Sequence, residues 1–479
     1  MKIAMLTSEA APYIKSGGLG DVMEGLPTAL ARMEGNQILL MLPYYGKILA
    51  NPAFQTRQAA QFSVTLGWRQ QYAGVHQLLG REDGVRVYFI DNLYYFGDRK
   101  GAPYGQGDDG ERYAFFAKAC LEALRILDFI PDVIHCNDWQ TGLVPILLQA
   151  QYRTLFPETR SVFTIHNIAY QGWADSSFFD DVLALPEDFR ARLDMGGAVN
   201  FLKGAIETAD LVTTVSESYA RELTLPYYAH GLSAVLSGNA RKLTGITNGI
   251  DTARFNPATD TALPANYDAK NFVTGKALCK AALQKELGLP VREETPLMVA
   301  VTRLADHKGL DLLCHIAHRL LEEDCQLVIL GTGEPRYEDF FRNLQNTFPR
   351  KVAARITFDL SLASRIYAGG DIYLMPSQSE PCGLSQMNAM RYGTVPVVHA
   401  VGGLRDTVPP VDDNGEGGLG VTFQSYNADD FLGALRRCLG LYRQPALFRA
   451  LQQRDMEQDF SWDAPARRYM ELFKQLLKS

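Results

Sequence analysis

The chain has 479 residues, 47% of them hydrophobic and 21% charged, which suggests roughly two to four domains with ample cores. A net charge of −7 and a pI near 5.7 argue against a general nucleic-acid binder, which carries a basic face, while leaving room for a local basic pocket. Seven cysteines, an odd number with no C-x-x-C pair, point to a reduced protein with buried thiols. No apolar run approaches the ~18 residues a membrane span needs, and the N-terminus does not read as a signal peptide. The expected location is the cytoplasm, or a plastid stroma in a plant or alga.

In chain order, residues 2–7 read as a central strand. The loop Lys15-Ser16-Gly17-Gly18-Leu19-Gly20-Asp21 leads into a helix with a kink or new start at Pro27. Residues 38–42, 85–90, 133–135, 161–165 and 211–215 are further strand candidates, with helices at 112–127 and 141–150 between them. That alternation predicts a doubly wound parallel domain. Asn248-Gly249 and the Pro- and Asn-rich 256–266 segment mark the crossing into a second domain.

The second half repeats the pattern, with strands at 297–301, 326–330, 354–358, 371–375 and 395–399 and helices at 309–322, 335–347 and 427–441. Residues 385–391 form another helix, stopped by Gly393, and Gly402-Gly403 opens one more. The acidic turn 409–418 reads as solvated rather than metal-binding. Residues 460–479 are amphipathic and suited to capping a domain. The expected fold is α/β, with two Rossmann-like domains facing a cleft. The domains are 1–250, 251–459 and a terminal helix over 460–479.

Ligands of parallel α/β units sit at the carboxyl ends of the strands, and four loops there carry reactive side chains. Glycines in 15–21 let backbone N–H groups approach a ligand at a helix start, although a plain tight turn has the same composition. G-x-G-x-x-G is absent, so a dinucleotide fingerprint is not met. Arg303 and Lys308 follow a strand; they are either solvated cations around a turn or a pair suited to a diphosphate. His135-Cys136-Asn137-Asp138-Trp139 and Thr164-Ile165-His166-Asn167 each close a strand. His135, His166 and Asp138 do not have usual metal-ligand spacing, and polar strand-end turns explain them better than a metal site. Glu380, in Glu380-Pro381-Cys382-Gly383-Leu384, either decorates a helix N-terminus or faces a ligand.

Several of these runs resemble one family. K-S-G-G-L-G-D after the first strand, H-x-x-D-W, T-I-H-N-x-x-Y-Q-G, R-L-x-x-x-K-G, E-P-C-G-L-S-Q and G-G-L-x-D-T are similar to the signatures of bacterial glycogen synthases and plant starch synthases. Those are retaining glucosyltransferases of the two-Rossmann-domain (GT-B) class. The resemblance implies that Lys15 contacts the phosphate side of a nucleotide-sugar donor and that Gly17 and Gly18 let the loop close. It also implies that Asp21 lies in the donor pocket. Asp138 and His166 would hold the donor glucose, and Arg303 and Lys308 the phosphates. Glu380 would hold sugar hydroxyls and support charge at the anomeric carbon, with Cys382, Gly383, Leu384, Gly402 and Gly403 around the donor. Tyr104, Asn167 and Asn248 would face the cleft, and Phe358 would stack on the base.

Two positions depart from the pattern. Many related retaining transferases carry a second Glu eight positions after the first, where this chain has Asn388, which therefore receives no role. Relatives often carry His where this chain has Asn137, a change that bears on acceptor handling. The implied activity is transfer of glucose from ADP-glucose to the non-reducing end of an α-1,4-glucan, glycogen or a malto-oligosaccharide, with retention and no metal or other cofactor. UDP-glucose as donor, a pyridoxal-phosphate phosphorylase and a non-catalytic glucan-binding scaffold are the alternatives. Neither nucleic acid nor membrane is an expected partner, and the oligomeric state is open.

Overall fold

The computed structural model describes residues 1–99, 103–412 and 414–478. Ala102 of the Ala102-Pro103-Tyr104 run and Asp413 of the acidic turn lie outside them. The chain divides into two compact units. The first is Met1–Gly249 together with the C-terminal segment from Trp462, and the second is Ile250–Ser461.

Among the described residues, the main sheet of the first unit has nine strands. Their spatial order is Leu243–Gly245, Leu211–Thr214, Arg160–Ile165, Val133–Asn137, Lys2–Leu6, Gln37–Pro43, Val85–Asp91, Arg69–Leu78 and Thr56–Leu66. The first seven run parallel, with Ile3 opposite both Ile38 and Val133. The last two form an antiparallel edge hairpin that the sequence reading did not include. Thr56–Leu66 is mostly exposed along its length, so its polar residues hide the two-residue alternation that betrays a strand. The central strands are buried on both faces, as a sheet covered by crossover helices requires.

The helix Gly18–Ala31 runs through Pro27 as one element, so of the expected kink or new start the new start does not occur. The stretch expected as one helix over 141–150 is broken into a 3-10 turn at Trp139–Thr141, a short α-helix at Val144–Leu147 and a π-turn at Leu148–Tyr152.

The terminal helix Asp463–Leu476 packs on this first unit. Tyr469 and Phe473 lie 5.3 and 5.8 Å, centroid to centroid, from the His135 ring. At its start, Trp462 presses so close to Gly25 that a β-carbon there would meet the indole Nε1 at 2.0 Å. Only glycine admits that contact.

The second unit is a six-stranded parallel sheet ordered Val352–Arg355, Gln326–Leu330, Leu297–Val301, Ile372–Met375, Val395–His399 and Val421–Phe423. A core cluster on one face of this sheet joins Met298, Leu327, Ile329, Leu374 and Val397 of the strands to Leu313, Ile316, Phe341 and Leu435 of the helices. The strand expected over 354–358 spans Val352–Arg355 instead, so Phe358 sits beyond it, 77% exposed. Helices Phe272–Leu287, Leu360–Gly369 and Pro445–Glu457 complete the unit and were not anticipated. In the acidic turn, the Asp412 carboxylate accepts the N–H groups of Glu416 and Gly417 at 2.8 and 3.0 Å, which holds its pKa below the usual carboxylate value.

Among the parallel strands of each sheet, the direction in which strands are added reverses once. In the first unit this happens between Lys2–Leu6 and Val133–Asn137, and in the second between Leu297–Val301 and Ile372–Met375. Loops leaving the carboxyl ends of such neighbours diverge and leave a crevice where ligands of open α/β sheets bind. Lys15, Gly17, Asp138, Arg303, Lys308 and Glu380 lie on these loops, while His166, Asn167, Asn248, Phe358, Gly402 and Gly403 follow other strands.

Candidate functional site

In the first unit the centre of the arrangement is Glu9, fully buried just after the first strand. Its carboxylate accepts the Ser16 hydroxyl at 2.6 Å, the Gly17 N–H at 3.3 Å and the Ser16 N–H. Burial raises the Glu9 pKa, and these hydrogen bonds and the charge of Lys15 oppose the rise. Ser16 also bonds the hydroxyl of half-buried Tyr104. The Lys15 ammonium pairs with Asp21 at 2.6 Å, spanning the first turn of the helix it precedes. Gly20 makes this compact: a β-carbon there would meet the Lys15 side chain at 2.9 Å. Gly17 is under no such steric demand.

The next strand over ends in Asn137-Asp138. Asp138 adopts φ 58°, uncommon for a side-chain-bearing residue. Its Oδ1 accepts the N–H of His166 at 2.7 Å and that of Asn167 at 3.3 Å. The Asp138 carboxylate therefore secures the backbone of the adjacent strand end. Asn167 uses its own Oδ1 on the Ala169 N–H at 3.0 Å, a local turn. Asn248 is buried, and its Oδ1 has no hydrogen-bond partner among the described residues.

Burial drives the His135 and His166 pKa values down to about 3, and pushes that of Asp138 up to about 7 against the two N–H bonds it accepts. The two effects have opposite signs. Between about pH 3 and 6.5 the unfolded chain holds protons on both histidines that the folded chain rejects. Stability should then fall as pH drops, by up to about 1.4 kcal/mol per pH unit for each. Asp138 works the other way between about pH 4 and 7, because the folded chain keeps a proton the unfolded chain has released. Asp138→Asn should therefore steepen the decline in melting temperature from pH 6.5 to 4.5. An unchanged or shallower slope would contradict the assigned directions.

In the second unit the loop after Leu297–Val301 carries exposed Arg303 and half-buried Lys308. Gly309 follows with φ +69°, and a β-carbon there would lie 1.9 Å from the Pro376 carbonyl oxygen. This close approach brings Lys308 against the loop that leaves Ile372–Met375. Its Nζ lies 2.6 Å from Glu380 Oε2, and the Ser377 hydroxyl donates to the same oxygen at 3.1 Å. Glu380 is 7% exposed. Its carbonyl accepts the Gly403 N–H at 3.0 Å, and a β-carbon on Gly403 would strike the Cys382 backbone at 2.3 Å. Gly403 thus fixes the Glu380 loop through its backbone. Gly383, at φ +73°, makes room for Gln386, whose amide donates to the Cys382 and Gly383 carbonyls and to Thr407. Leu384 precedes the helix Ser385–Arg391, and Gly402 begins the helix Gly402–Thr407.

His307 lies amid this group. Burial lowers its pKa to about 4, with the positive charges of Lys308 and Arg303 acting in the same direction and Glu380 opposing. The two cations and the carboxylate therefore share one electrostatic neighbourhood. Phe358 follows the edge strand Val352–Arg355, two strands away from Leu297–Val301.

Sequence reasoning missed Glu9, His307 and Ser377. Glu9 did carry a signal, as the lone acid in an apolar stretch at a strand's carboxyl end. Among the described residues no group of three or more His, Cys, Asp or Glu side chains is gathered as a metal site would require. No helix among them is long and apolar enough to cross a membrane.

The sequence matches the family model "Starch synthase catalytic domain" over residues 2–238 and "Glycosyl transferases group 1" over 285–448. It is 46% identical to a glycogen synthase of Exiguobacterium sibiricum, covering 100% of both chains. It is 45% identical to a glycogen synthase of Geobacillus thermodenitrificans, covering 100% of this chain and 98% of the relative. Among solved structures it is similar to the catalytic domain of starch synthase IV from Arabidopsis thaliana bound to ADP and acarbose. That match has a TM-score of 0.90 at 34% identity and covers 100% of this chain and 99% of that one. The two-unit α/β architecture is the GT-B fold, and the chain belongs to the glycosyltransferase family of bacterial glycogen synthases and plant starch synthases.

Proposed function

We propose that the protein transfers glucose from ADP-glucose to the non-reducing end of an α-1,4-glucan with retention of configuration, and that it needs no metal. The observation that carries this reading is the Lys308–Glu380 pair at 2.6 Å on neighbouring strand ends, with Arg303 in its field. A diphosphate leaving group gathers negative charge as it departs. A cation about 4 Å away stabilises that charge by ~4 kcal/mol at an effective dielectric near 20. Arg303 and Lys308 supply such cations, which is the work a metal does elsewhere. The bond between the anomeric carbon and the phosphate oxygen breaks. The acceptor 4-hydroxyl bonds that carbon from the same face, and its proton passes to the departing phosphate oxygen. Glu380 supports the positive charge at the carbon.

Exposed Phe358 offers a ring to the base. The ADP and acarbose bound by the Arabidopsis starch synthase support adenine and a glucan as ligands. The test is nucleoside-diphosphate release with glycogen, comparing ADP-glucose and UDP-glucose in EDTA. Release that requires glycogen, survives EDTA and is faster from ADP-glucose is expected. Faster release from UDP-glucose would overturn the donor assignment, loss in EDTA the metal independence, and no release from either the transfer itself.

A further inference from the structure

The side chain of His166 is held by a residue outside those assigned to the donor. Asn137 is fully buried at the end of Val133–Asn137. Its Nδ2 faces two backbone carbonyls, of Leu6 at 3.1 Å and His135 at 3.3 Å. An amide turned the other way would set its oxygen against both carbonyl oxygens, so the donor contacts fix its orientation. The Oδ1 atom then points at His166 Nε2, 2.9 Å away. An amide oxygen can only accept, so Nε2 must carry the proton. The lone pair is left on Nδ1, which makes no hydrogen bond within the described residues.

We propose that Asn137 is a positioning residue that holds His166 as the Nε2–H tautomer and so presents Nδ1 as a hydrogen-bond acceptor for a sugar hydroxyl. Asp138 anchors the backbone of His166 while Asn137 sets its ring, so two consecutive residues of one strand end determine both the place and the proton of the histidine. A neutral carboxamide suits this task, because a carboxylate at position 137 would favour the imidazolium and replace the acceptor with a second donor. The low pKa that burial imposes on His166 acts in the same sense. The other titratable groups acting on this corner are His135, Asp138 and, through Asp138, Glu9. The assignment of Nδ1 to a sugar rests on the proposed transferase activity; the tautomer does not.

The experiment is nitrogen NMR of the histidine-labelled full chain, with His166→Gln identifying the His166 signals, alongside transfer kinetics. The wild type should show a protonated Nε2 and a bare Nδ1 from pH 5.5 to 8. Asn137→Asp, nearly isosteric, should make both nitrogens protonated at the acid end and give a new titration in the transfer rate. Asn137→Leu should mix the tautomers and lower kcat roughly tenfold, as misplacement of a positioned group does, with ADP affinity unchanged. A wild-type His166 protonated on Nδ1, or Asn137→Leu with an unchanged tautomer, would overturn the positioning. A shifted tautomer with unchanged kcat would overturn its use in transfer. Absence of transfer in the wild type would strike the functional reading alone, since the tautomer is read without substrate.

Discussion

Glu380→Gln is expected to lower the rate of transfer by about a hundredfold or more while ADP binds at least as tightly as before. Loss of a group that stabilises charge only in the transition state costs this much in turnover. ADP lacks the sugar, so it loses no contact. Moreover, the Glu380 carboxylate sits 2.6 Å from the Lys308 ammonium and competes with a diphosphate for it. Removing that negative charge frees the cation. Calorimetry of ADP binding beside initial rates of nucleoside-diphosphate release separates the two effects. A large loss of ADP affinity would place Glu380 elsewhere.

Lys308→Ala should fail in a different way, weakening ADP and ADP-glucose binding alike by roughly 2–4 kcal/mol, about 30- to 1,000-fold. It should also destabilise the fold. Glu380 is 7% exposed, and without Lys308 its charge keeps, among the described residues, only the Ser377 hydroxyl as a side-chain partner. Stranding a buried carboxylate in this way costs about 3 kcal/mol. The double variant Lys308→Ala with Glu380→Gln should recover most of that stability without recovering binding, because no charge is then left unpaired. Denaturant melts of the three variants, read as a double-mutant cycle, measure the coupling. Unchanged affinity for both ligands would remove Lys308 from the phosphate site. A double variant no more stable than Lys308→Ala would mean that the pair is not what holds the loop.

The alternation of apolar runs with glycine-rich turns was enough to predict two doubly wound units. It placed the strands Gln326–Leu330 and Val395–His399 to the residue, because strands buried on both faces read as unbroken apolar segments. The same logic failed at the polar edge hairpin Thr56–Leu66 and Arg69–Leu78, whose strand character comes from pairing rather than from burial. It also failed at Phe358, where an apolar residue after a strand was read as part of it. The family resemblance proposed Lys15, Asp138, His166, Arg303, Lys308 and Glu380 as site residues, since the motifs that carry it are written along the chain.

What those side chains touch was settled only by tertiary structure. Lys308 and Glu380 are 72 residues apart in sequence and meet because parallel strands on either side of a switch point bring their loops together. Gly309 and Gly403 look like ordinary turn residues until their missing β-carbons prove to be the space occupied by Pro376 and Cys382. Glu9 binds the Ser16-Gly17 backbone, and Asn137 orients His166 from the neighbouring strand. Composition and spacing report which groups a chain owns. The register of non-local strands decides which of them come within hydrogen-bonding distance.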